Sequence, residues 1–95
     1  MVEVFEWDGG KAKSNLAKHR SSFDDAIKVF ADPEVVVVAS LREVDREERF
    51  KAIGRIGDRI FTVVYTEHGG GWRIISARRA NSVEERQYGD CSPYT

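Results

Sequence analysis

The sequence predicts an α+β domain: an antiparallel β-sheet of about four strands, with two N-terminal helices packed on it and a C-terminal helix. Three observations carry this prediction. Residues 49–79 form apolar-rich runs separated by short turns at Gly57-Asp58 and at His68 to Gly71, the pattern of an antiparallel meander. Phe23, Ala26, Ile27 and Phe30 recur at helical spacing, as on one face of an amphipathic helix. Ser82-Val83-Glu84-Glu85 has the form of a capping box opening a last helix.

The elements follow in order. Val2 to Trp7 mixes apolar residues with Glu3 and Glu6 and reads as a short strand. Asp8 is placed to cap a helix from about Gly10 to Arg20, whose Ala12, Leu16 and His19 share one face, with Asn15 and Lys18 beside them. Ser22 caps a second helix with Asp24 and Asp25 in its first turn, where the helix dipole favours acids, and Asp32-Pro33 ends it. Val35 to Ser40 is β-prone, and Leu41 to Glu48 is a charge-dense loop. Arg49 to Ile56 alternates, with Phe50, Ala52 and Ile56 on one side. Arg59 to Thr66 is apolar enough to be a central strand, and Trp72 to Arg79 is the last strand. The C-terminal helix is expected to end near Tyr88-Gly89.

Length and charge bound the function. Ninety-five residues make one domain, 1–95, with 89–95 expected as a flexible tail. The net charge is −1, so no global basic field favours nucleic acid and any such site must be a local cluster. The single cysteine, Cys91, makes no intramolecular disulfide and fits a reducing compartment. The longest apolar run, Val35 to Ala39, is too short to cross a membrane. The acidic start carries no signal-peptide pattern, and a cytoplasmic location is expected.

The residues with chemical potential are few. Arg78, Arg79 and Arg86 surround one strand-to-helix junction. A guanidinium presents a planar fork of donors that matches phosphate oxygens; the plainer role is pairing with Glu84, Glu85 and other surface acids. Lys11, Lys18 and His19 lie on the first helix, Glu48 and Arg49 at a strand start, and Tyr88 on the last helix. His19 suits packing or capping as well as proton transfer, and Trp7 suits a core or rim anchor as well as base stacking. Glu48 beside Arg49 fits a solvated pair, and Tyr88 fits a ring packed on the sheet with its hydroxyl exposed. An antiparallel meander is compatible with the Glu48-Arg49 end and the Arg78-Arg79 end lying at opposite ends of neighbouring strands, but which of these groups converge depends on strand order, which the sequence does not fix. His19 and His68 are far apart in sequence and no cysteine pair exists, so no metal or other cofactor is expected.

Taken together, Phe5-Glu6-Trp7-Asp8, Lys11 with Asn15 and Lys18-His19, Phe23-Asp24-Asp25-Ala26, Val29 to Pro33, Glu47 to Phe50 with Ala52-Ile53-Gly54, Val63 to Thr66, and Ile75 to Ala80 followed by Glu85-Arg86 and Tyr88 resemble the BrnT family. The motifs run in order through nearly the whole chain to Tyr88. Arg20 departs from the resemblance, because a glycine often follows the Lys-His pair in that family. Gly9-Gly10 also departs, standing where a Pro-containing pair is more usual.

The resemblance implies a RelE-like fold and a ribonuclease toxin of a type II toxin–antitoxin module. It also implies a BrnA-like antitoxin partner whose ribbon-helix-helix part binds DNA. Cleavage in such enzymes needs no metal, because the RNA 2′-hydroxyl attacks its own phosphate. Under that reading Arg78 and Arg79 hold the scissile phosphate, Arg49 is a second clamp, and Lys18 or His19 supplies the base or acid with Glu48 in reserve. Trp7, Lys11, Arg86 and Tyr88 contact RNA or the antitoxin. The other function compatible with these residues is a non-catalytic module that binds the antitoxin and aids DNA repression.

Overall fold

The computed structural model describes residues 4–39 and 48–90. In chain order the elements are β1 (Phe5–Glu6), α1 (Gly9–His19), α2 (Phe23–Ala26) continuing as a 3-10 helix (Ile27–Ala31), β2 (Val36–Ala39), β3 (Phe50–Ile56), β4 (Arg59–His68), β5 (Gly71–Arg79) and α3 (Ser82–Asp90). Most of the Leu41 to Glu48 loop, and the tail with Cys91, lie outside the described residues.

Local chemistry explains the helix ends. The Asp8 carboxylate accepts from the Lys11 N–H at 3.0 Å and the Ser22 hydroxyl accepts from the Asp25 N–H at 3.1 Å, each satisfying a donor that the first turn leaves open. α1 closes on Arg20, whose left-handed backbone (φ 54°) lets its N–H reach the Leu16 carbonyl at 2.8 Å.

The α1 face differs from expectation. Asn15 is its one buried residue among those described, whereas Leu16 is half exposed and His19 is exposed. The second helix differs as well: only its first turn is α-helical. A 3-10 helix has three residues per turn and aligns i with i+3, so the inward stripe is Phe23, Ala26 and Val29, with Ile27 and Phe30 at its partly buried margins.

The sheet has the order β1-β5-β4-β3-β2. β2 through β5 form the antiparallel meander, while β1 runs parallel to β5, pairing Phe5 with Trp72 and Glu6 with Arg73. The expected antiparallel sheet of about four strands is therefore a mixed sheet of five. The difference arises because β1 has no adjacent hairpin partner, and the helices carry the chain from one sheet edge to the other.

The core lies between the helices and one sheet face. Phe23, Ala26 and Val29 pack on Ala52, Val63, Tyr65, Ile74 and Ala77. Phe30 sits between Phe5, tilted to it, and Tyr65, edge-on to it, with ring centroids 5.0 and 5.1 Å away, tying β1 to the centre of the sheet. Gly54 permits the closest approach: a β-carbon there would lie 2.8 Å from Val29 Cγ1 and 2.9 Å from the Val29 carbonyl oxygen.

α3 covers part of the opposite face, over β3. Its box is shifted by one residue from the sequence reading. Asn81 is the cap, its Oδ1 accepting from the Glu84 N–H at 2.9 Å while Glu84 Oε1 accepts from the Asn81 N–H at 3.0 Å.

Candidate functional site

Alternation along β5 sends Arg78 and Arg79 to opposite faces of the sheet. Arg79 shares the helical side with Ala77 and pairs across with Phe61; Arg78 pairs with Thr62 on the α3 side. The two arginines therefore do not form one fork.

Arg78 is committed to Glu84. Its Nη1 and Nη2 donate to Glu84 Oε1 and Oε2 at 2.7 and 2.8 Å, and Nη1 also reaches the Arg79 carbonyl at 3.3 Å. Lys51 Nζ (3.2 Å), Thr62 Oγ1 (3.0 Å) and the Asn81 N–H complete the shell around this carboxylate, whose side chain is 1% exposed. Burial alone would push the Glu84 carboxyl up. The hydrogen bonds from Arg78, Asn81, Thr62 and Lys51 outweigh it and hold the group at about 2. The same pair raises the Arg78 guanidinium above its ordinary value. Arg78 and Lys51 remain 30% and 26% exposed, so each keeps a solvent-facing side.

The opposite end of this face carries a second cluster. Glu6 Oε1 lies 2.7 Å from His68 Nδ1 and 3.3 Å from Arg73 Nε. A cavity of about 280 Å³ lined by Glu6, Trp7, Asp8 and Arg73 adjoins it. Arg73 pairs with Thr66 and Arg78 with Thr62, four residues apart on β4 or about 13 Å. Val64 and Ser76 lie between them, partly exposed. Sequence reasoning missed His68 and Glu6 as a pair because they are 62 residues apart and meet only through β1–β5 pairing.

The other sequence-predicted residues are dispersed. Glu48 is exposed beside β4, where its carbonyl accepts from Thr66 Oγ1 at 2.6 Å, and Arg49 is partly buried next to it. This places them at the Arg73 end, away from Arg78. Lys18 and His19 are exposed at the end of α1. Asn15 ties that helix to Ala77, two residues before Arg79, and Ser21 lines the same groove as Phe61, the cross-strand neighbour of Arg79. The Lys18-His19 end and Arg79 thus share one end of the helical side. Lys11 and Arg86 are exposed.

Trp7 packs edge-on against Phe23 with centroids 5.8 Å apart, the anchor reading, while one side still borders the cavity beside Glu6. Tyr88 departs from the expected exposed hydroxyl: it is 6% exposed and donates to Asp32 Oδ2 at 2.6 Å, with the Arg55 guanidinium 6.0 Å from its ring centre. Burial and that bond both raise the phenol, whereas Asp32 is lowered because the donors Tyr88, Glu34 N–H and Arg55 N–H outweigh its burial. This makes Tyr88 the clasp of α3.

Among the described residues no three His, Cys, Asp or Glu side chains cluster in a way that could hold a metal ion. None of the described helices is long and apolar enough to cross a membrane.

Fold and charges define a small α+β domain with fixed cations along one sheet face. Residues 7–84 match the family model described as the ribonuclease toxin, BrnT, of type II toxin–antitoxin systems, and the chain belongs to the BrnT family. A search of curated proteins found no match.

Proposed function

We propose that the chain is a RelE-like toxin that cleaves RNA without a metal ion and so blocks translation in the cytoplasm, and that a BrnA-like antitoxin neutralises it. The observation that carries this reading is the Glu84 cluster: one buried carboxylate fixes Arg78 and Lys51 side by side. Cations held before substrate arrives stabilise phosphate charge without reorganising. Arg78 spends three of its five N–H donors on Glu84 and Arg79, which leaves donors for a phosphate. Arg73 and Arg49 extend the same strip toward the far end of the strands.

The chemistry requires an attacking 2′-hydroxyl, positive charge and proton transfer, all available to side chains. A second placement of RNA runs along Arg79, Lys18 and His19. The Asn15–Ala77 bonds favour it, because they hold these groups at one end. DNA contact would pass through the antitoxin, whose own ribbon-helix-helix part supplies it.

The test is purified chain on single-stranded RNA with a chelator present, with growth measured on induction with and without the antitoxin. Cleavage and growth arrest, both suppressed by the antitoxin, are expected. A folded chain that binds the antitoxin tightly yet leaves RNA intact would replace this reading with the non-catalytic binding module.

A further inference from the structure

We infer that Glu6, His68 and Arg73 form the proton-transfer centre for RNA cleavage, with His68 as the group that moves the proton. The inference rests on the ribonuclease reading above and assigns its unplaced acid and base.

The geometry begins with the hydrogen between His68 and Glu6. An ionised carboxylate can only accept, so the ring nitrogen 2.7 Å from Glu6 Oε1 carries the hydrogen. In the neutral ring this leaves the Nε2 lone pair free. The carboxylate thus fixes the tautomer and aims the base, the arrangement that makes an imidazole effective in proton transfer. Arg73 meets the same carboxylate oxygen through Nε at 3.3 Å, and a guanidinium has two further nitrogens with which to donate. The three side chains are 43–55% exposed, so an RNA strand can reach them. The neighbouring cavity of about 280 Å³, bounded by Trp7, lies where a base flanking the phosphate would sit.

Among the described residues, Glu6 on β1 and Arg73 on β5 face His68, and Arg49 before β3 lies at the same end of this face; Glu67, the neighbour of His68 on β4, alternates to the other side of the strand.

The step balances without a co-reactant. His68 Nε2 takes the proton from the ribose 2′-hydroxyl as O2′ bonds to phosphorus and the bond from phosphorus to the 5′-oxygen breaks. The same proton passes, directly or through water, to the departing 5′-oxygen. The products are a 2′,3′-cyclic phosphate and a 5′-hydroxyl. Arg73 faces the non-bridging oxygens as their charge grows, and Lys51 and Arg78 hold a neighbouring stretch of backbone about 13 Å along the face.

The experiment compares the parent chain with His68→Ala on a labelled single-stranded RNA, measuring binding and single-turnover cleavage separately, with circular dichroism on both. His68→Ala is expected to bind RNA as the parent does, to cleave about a hundredfold more slowly, and to recover part of the rate when free imidazole is added. RNA carrying one 2′-deoxyribose at the cut site should resist both proteins. A folded His68→Ala that cleaves within about threefold of the parent, or one that loses binding instead of rate, overturns the assignment while leaving the ribonuclease reading intact. A parent chain that cuts no RNA at all fails that reading and this inference with it.

Discussion

Asn15 stands in for a strand beside Ala77. Its Oδ1 accepts from the Ala77 N–H at 3.0 Å, and its Nδ2 donates to the Ala77 carbonyl at 2.7 Å and to the Ser21 carbonyl at 2.9 Å. Among the described residues β1 pairs with β5 at Trp72 and Arg73, and the amide satisfies backbone groups farther along β5. Asn15→Ala would leave buried backbone polar groups without partners, at about 1–3 kcal/mol each for those that water cannot reach. We expect its urea midpoint to fall well below the parent's. Asn15→Asp should fall similarly at neutral pH, since a carboxylate can accept from Ala77 but cannot donate.

Glu84 gives stability an acid limit. Its folded carboxyl titrates at about 2 against an ordinary 4.5. Below the ordinary value the unfolded chain takes up a proton that the folded chain refuses. The contribution is therefore full above that value and fades as pH falls toward 2. It amounts to roughly 3 kcal/mol. Thermal melts from pH 7 down to pH 3 should show this loss in the parent. Glu84→Gln should be less stable at pH 7 and should show a shallower acid decline, because its side chain does not titrate.

Arg20 sits where a glycine would be unstrained. Its left-handed backbone closes α1, and a side chain there costs about 1–2 kcal/mol that glycine avoids, less the greater freedom glycine has when unfolded. Arg20→Gly should raise stability by up to about 1 kcal/mol, a melting shift of roughly 4–8 °C per kcal/mol for a domain of this size. A lower melting point would show that the Arg20 side chain contributes more than its backbone costs.

The two faces of the sheet separate the two placements of RNA. If RNA lies on the α3 side, Lys51→Ala should weaken RNA binding, and Arg79→Ala should leave binding and rate within about threefold, under 1 kcal/mol. The reverse ranking would move the site to Arg79, Lys18 and His19. Arg79 is the cleaner probe of the two arginines, because Arg78→Ala would also strip a partner from buried Glu84.

Much of the architecture was legible in the sequence. Asp8 and Ser22 announced their helices, and Phe50, Ala52 and Ile56 announced the buried side of β3, because caps and alternation are local signals. β1 was legible as a strand but its partner was not, since pairing Phe5 with Trp72 is decided by tertiary docking. The 3.6-residue period does not describe the whole of the second helix, which is one α turn followed by a 3-10 helix whose three-residue period turns Val29 inward. The candidate site was half legible. The arginine run drew attention to Arg78, and the plainer expectation of an Arg78–Glu84 pair holds. That Arg78 and Arg79 diverge follows from strand parity, which the adjacent positions alone conceal. Lys51 and His68 carry no local signal and become visible only once β3, β4 and β1 lie together.

The parallel pairing of β1 with β5 also sets a schedule for synthesis. Phe5 and Glu6 leave the ribosome early, yet the edge they join is not made until Trp72 and Arg73 follow, several seconds later at roughly 5–20 residues per second. Glu84, which fixes Arg78 and Lys51, emerges later still. A nascent chain therefore lacks the Glu6 cluster until β5 is made and the Glu84 cluster until α3 is made. A cell making this protein meets the finished surface only once Glu84 has been added, which gives a co-expressed partner time to be present when it appears.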